Sequence, residues 1–89
     1  MTDAEIRSKL KSCGQSFYVE FFQRFCETDW HDDDAVKTLK HNIASQLQSE
    51  GVSFEQSSLD TRISCVRAIF KQNAQWKALL LVAEAKGIL

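Results

Sequence analysis

The chain contains no proline, and its three glycines, Gly14, Gly51 and Gly87, stand far apart. A sheet in a short domain needs tight reversals, and these draw on proline and on glycine at positive φ. With 89 residues and so few of either, the chain is expected to fold as helices joined by short connections. Hydrophobic residues make up 44% of it, enough to build a core and too many for a disordered chain. The expected fold class is all-α: a compact bundle of four or five short helices in a single domain spanning residues 1–89.

Five helical segments follow from periodicity and punctuation. The first spans Asp3 to Cys13, with Thr2 and Glu5 spaced as a capping box, Ile6, Leu10 and Cys13 on one stripe, and Gly14 as its stop. The second spans Phe17 to Thr28 behind a Ser16 cap. At about 100° per residue, its Phe17, Tyr18, Val19, Phe21, Phe22, Phe25 and Cys26 cover roughly 200° of the helix surface. That arc is wider than one packing seam requires, so this helix is expected to be the most buried element. The third spans Asp34 to Glu50 on the stripe Val36, Leu39, Ile43 and Leu47, stopped by Gly51 with Val52 beyond it. The fourth spans Leu59 to Gln72 with Ser57 or Ser58 as cap and Leu59, Ile63, Val66 and Phe70 facing inward. Asn73 tolerates the left-handed region and marks a break; without one there, the fourth and fifth segments form one long helix. The fifth spans Ala74 to Lys86 and is ended by Gly87. Trp76, Leu79, Leu80 and Ala83 are expected to face inward, leaving Leu81 and Val82 off the stripe.

Charge and cysteine content narrow the function classes. The net charge of −1 gives no bulk attraction to nucleic acid or to an anionic membrane. The balance is uneven: residues 1–56 carry six Lys/Arg against ten Asp/Glu, and residues 57–89 carry five against two. Three cysteines, Cys13, Cys26 and Cys65, form no CxxC pair and suggest a reducing, cytoplasmic setting. The N-terminus has no basic segment followed by an apolar run, and no apolar stretch approaches the ~18 residues of a membrane span. Neither a secretory signal nor a membrane partner is expected.

No catalytic constellation emerges. The acidic run Asp29, His31, Asp32, Asp33 and Asp34 resembles a hard-cation site in composition, but lacks the glycine and distal glutamate of a calcium loop. Carboxylates at a helix N-terminus cap its free N–H groups and suit its dipole, which accounts for the run without a metal. Cys13, Cys26, His31 and His41 contain no close pair of the kind zinc sites draw on. No serine sits in a nucleophile elbow, and no glycine-rich loop exists to cradle phosphate. No enzyme activity, cofactor, metal or small-molecule substrate is expected.

The surplus of apolar residues points instead to a binding protein. The expected function is non-enzymatic contact with another protein, or with a second copy as a homodimer. The candidate contact residues are Phe17, Phe21, Trp30, Leu81, Val82 and Leu89. Trp30, an aromatic in an acidic loop, reads as an exposed anchor. The alternative is DNA binding through the fourth helix. Arg62, Arg67 and Lys71 would then meet phosphates, with Ser58 and Thr61 near base edges. Ser58 to Phe70 is also similar to the last helix of a tyrosine-recombinase core-binding domain, over thirteen residues and without a motif unique to that family.

Overall fold

The computed structural model describes residues 1–87. Among them are six helices and no strands: α1 (Asp3–Cys13), α2 (Gln15–Glu20), α3 (Phe22–Cys26), α4 (Asp33–Ser49), α5 (Gln56–Lys71) and α6 (Gln75–Ala85). The all-α expectation holds, with one helix more than the upper expectation of five. The extra helix arises inside the second segment. Phe21 adopts φ −105°, ψ 12°, a step between α2 and α3, while the Phe21 and Phe25 amides still bond to Phe17 and Phe21 across it.

The start of α1 follows the expected chemistry. Thr2 Oγ1 accepts from the Glu5 amide at 3.2 Å, and Glu5 Oε1 accepts from the Thr2 amide at 3.0 Å. That reciprocal pair satisfies two donors a helix start leaves open. Asp32 likewise accepts from the Asp34 amide at 3.0 Å and begins α4. Two caps differ from expectation. α2 begins at Gln15 directly behind Gly14, so Ser16 lies inside the helix. α5 begins at Gln56 behind an extended Glu55, so Ser57 and Ser58 fall in its first turn. Nothing between Gln56 and Ser58 disfavours helix, and the Leu59 amide reaches back to the Glu55 carbonyl. At the other end of α5, Asn73 takes φ 56° and separates it from α6.

One hydrophobic cluster draws on every helix. α5 packs against α1, α4 and α6, and buries Leu59, Ile63, Val66 and Ile69. α2 and α3 contribute the aromatic part, with Phe17, Tyr18, Phe21 and Phe25 all buried. These rings meet at tilted angles, with centroids 5.2 Å apart for Phe17–Phe21 and 6.0 Å for Tyr18–Phe25. This is the offset geometry aromatic quadrupoles prefer. The broad apolar arc of the second segment is thus mostly absorbed by neighbours on several sides.

The largest departure lies in α6. Ala78, Leu81 and Val82 face the core, whereas Trp76 and Leu80, expected inward, are exposed. The sequence WKALLLVA is apolar on nearly every side, so a 3.6-residue period selects no single face. Packing on α1, α2 and α5 selects it instead. The face with the small Ala78 at its centre is the one that can lie close to its neighbours. The bulky indole of Trp76 is left on the other side.

Candidate functional site

The outward stripe of α6 is the most unusual surface of the domain. Trp76, Leu79, Leu80 and Ala83 recur at helical spacing on the side opposite Ala78, Leu81 and Val82. Trp76 is 64% exposed and Leu80 39%. Leu79 and Ala83 are half-buried at the edge of a groove of about 430 Å³, closed on its far side by Val19 and Glu20 of α2. Val19 is itself 45% exposed, and Phe22, one turn further along, meets Trp76 edge-on with ring centroids 5.3 Å apart. The result is one apolar surface shared by α2, α3 and α6, bordered by Ser16, Glu20 and Lys86. Where exposed large apolar side chains gather rather than scatter, they mark contact sites. The Tyr18 hydroxyl donates to the Gln75 carbonyl at 2.9 Å and fixes the start of α6 against α2.

The contact residues expected from sequence lie elsewhere. Phe17, Phe21, Trp30, Leu81 and Val82 are core residues, each no more than 8% exposed; Leu89 lies outside the described residues. Trp30 is the clearest case. Its Nε1 donates to the Phe25 carbonyl at 2.8 Å, and its ring lies 5.3 Å from that of Phe70. With its polar atom satisfied inside the fold, the indole has no reason to stay in the acidic loop's solvent. The exposed surface is instead made of Trp76, Leu79, Leu80 and Val19, whose spacing predicts core for the first three and surplus apolar area for Val19. The signal that could have found them was the all-round apolar character of 76–83.

The residues of the DNA reading divide between two sides of α5. Ser58, Thr61 and Arg62 lie on one side, and Arg67 and Lys71 about half a turn away. Both arginines are engaged within the chain. Arg62 Nη1 donates to the Cys13 carbonyl at 3.1 Å, with its guanidinium 5.3 Å from the centre of the Phe17 ring. Arg67 donates from Nε to the Trp30 carbonyl at 3.0 Å and from Nη2 to Asp33 at 2.8 Å. Ser58, Thr61 and Lys71 are exposed, and Thr61 Oγ1 donates to the Ser57 carbonyl. The five do not form one face.

The acidic run is used structurally. Asp29 accepts from the His31 amide, Asp32 caps α4, and Asp33 holds Arg67. The hydrogen bond and charge of Arg67 keep the Asp33 carboxyl below its usual range. Among the described residues no group of three or more His, Cys, Asp or Glu is placed to hold a metal ion. All three thiols are free, and burial pushes that of Cys13 up to about 11, which keeps it protonated and unreactive near neutral pH. No described helix is long and apolar enough to cross a membrane.

Comparisons of the chain with protein-family models, with curated proteins and with solved structures find no match. The class defined by the fold is therefore the coarse one, a small all-α domain with one continuous core and one apolar surface left outside it.

Proposed function

We propose that this protein is a non-enzymatic binding module that meets another protein, or a second copy of itself, through the outward face of α6 and the adjoining edge of α2 and α3. The observation that carries the reading is the exposure of Trp76 beside Leu79, Leu80, Val19 and Phe22. Tryptophan at the centre of an apolar patch is the side chain most often responsible for binding energy at protein contacts. Its rigid ring loses little conformational freedom when covered, so the contact keeps most of what burial contributes. The three free thiols fit a reducing compartment, and we read the protein as cytoplasmic.

The test compares wild type with the double variant Trp76→Ser/Leu80→Ser. Sedimentation over a wide concentration range reads self-association, and affinity capture from native extract reads a foreign partner. A dimer or a captured protein seen with wild type and lost from the folded double variant is the expected result. Association that is unchanged by the double substitution, or absent in both formats, overturns the reading.

A further inference from the structure

A second feature adjoins the apolar face, sharing Ser16 and Lys86 with its border, and rests on charge rather than on apolar exposure. Four cationic residues line one open cavity of about 690 Å³: Arg7 and Lys11 from α1, Arg62 from α5, and Lys86 just past the end of α6. Among the described residues no Asp or Glu lines it, and none of the four is in an ion pair. The chain as a whole is net negative, so this concentration of positive charge is local, and the fold assembles it from three separate helical regions. Like charges held around one concave surface raise the local potential and favour an anion there.

Arg62 is the member held in place. Its Nη1 bond to the Cys13 carbonyl and its position over the Phe17 ring fix the guanidinium plane. Gly14 leaves the space for it, since a Cβ there would stand 2.9 Å from Nη1. Those contacts use one face and one of the five N–H donors, leaving others for an acceptor. A planar guanidinium with parallel N–H groups matches the oxygens of a phosphate. The Ser16 hydroxyl at the rim accepts from Lys86 Nζ at 3.4 Å and keeps its own proton to donate. On its other side Arg62 borders a smaller cavity lined by Ser12, Ser57, Ser58 and Thr61.

We propose that this cavity binds a small phosphate-bearing ligand through a diphosphate group, with Arg62 as the fixed donor and Arg7, Lys11 and Lys86 as mobile counter-charges. Four cations around one concavity suit a compact anion of several charges better than a single carboxylate. They suit a nucleic-acid backbone less well, because Arg67 and Lys71, which an extended strand would also need, lie on the far side of α5.

The experiment titrates sodium pyrophosphate, ADP, orthophosphate and a short duplex DNA separately into the ¹⁵N-labelled full chain, with sodium chloride holding ionic strength constant. Saturable shifts confined to the amides of Gly14, Gln15, Ser16 and Lys86 and to the Arg62 side-chain N–H are expected with pyrophosphate, and weaker ones with orthophosphate. A further gain in affinity with ADP assigns a nucleotide, and equal affinity assigns the diphosphate alone; both support the proposal. Arg7→Gln with Lys11→Gln alters two exposed side chains, and is expected to weaken pyrophosphate binding at least tenfold at an unchanged melting temperature without ligand. Shifts that never saturate or that follow lysines over the whole surface overturn the proposal. So does an affinity the double variant does not change. Tighter binding of the duplex, with shifts spreading to Arg67 and Lys71, replaces it with a nucleic-acid surface.

Discussion

The Trp30 indole closes the end of α3 by donating from Nε1 to the Phe25 carbonyl at 2.8 Å, five residues back along the chain. The same ring lies 6.0 Å from that of Phe25, so one side chain supplies both a hydrogen bond and core packing. Trp30→Ala is expected to cost about 3–5 kcal/mol, as other large-to-small core changes do. Trp30→Phe keeps most of the packing and leaves the Phe25 carbonyl without its donor, for about 1–2 kcal/mol. Urea unfolding followed by circular dichroism measures both, and a loss below about 1 kcal/mol for the alanine variant would contradict the ring's place in the core.

The two faces of α6 separate stability from binding. Leu81→Ala removes a side chain 4% exposed and is expected to cost about 2–5 kcal/mol. Trp76→Ser removes a ring already 64% exposed together with its edge contact to Phe22, and should cost only about 0.5–1.5 kcal/mol. Thermal and urea denaturation of the two variants should therefore diverge sharply. Equal destabilisation would mean that α6 is rotated from the orientation described.

Asn73 sits at φ 56° between α5 and α6. A β-branched residue there meets its own carbonyl oxygen, so Asn73→Val is expected to lose about 1–2 kcal/mol. Asn73→Gly should be neutral or slightly stabilising, since glycine enters that region without a Cβ clash. Equilibrium unfolding of the pair tests the position, and tolerance of valine would show that the break is not enforced by this residue.

The Asp33–Arg67 contact makes a small part of stability depend on pH. Arg67 lowers the carboxyl's folded value below that of the unfolded chain, which is 3.8. A lowered folded value means the unfolded state binds the proton first. The contribution is therefore present in full above the unfolded value and declines as pH falls through the folded one. Wild type and Asp33→Asn should differ at neutral pH and converge at low pH, in unfolding curves taken at several pH values. With the Asp33 side chain 81% exposed, added salt should shrink the difference as well. A gap that widens on acidification would give the interaction the wrong sign.

What could be read from the sequence depended on how many residues carried each signal. The start of α1 was legible because Thr2 and Glu5 suffice to define it, whereas Asn73 marked where a break could fall without deciding between a break and one long helix. The face of α6 was not legible. Trp76, Leu79, Leu80 and Ala83 make as good a stripe as Ala78, Leu81 and Val82, and only the neighbouring helices decide between them. Trp30 was misplaced because its acidic neighbours suggested solvent, while its hydrogen-bond partner, Phe25, gives no sequence sign of accepting an indole. The cationic cavity escaped notice because its members lie at positions 7, 11, 62 and 86, and no window of the chain contains them together.

Gly14 ends α1 by donating to the Leu10 carbonyl and stands at once before the first residue of α2, with φ 88°. Two helices thus share a single-residue elbow, and no slack separates them. Adding or removing one residue there would change the direction in which α2 leaves α1 and the face it turns to the core. Phe17 and Tyr18 would swing out of the interior, and Arg62 would lose the ring it lies against. Length at this joint should thus be more tightly constrained than side-chain identity. Across any set of related chains, insertions and deletions would be expected to collect in the segments 27–32 and 50–55, leaving the count of residues between Leu10 and Phe17 fixed.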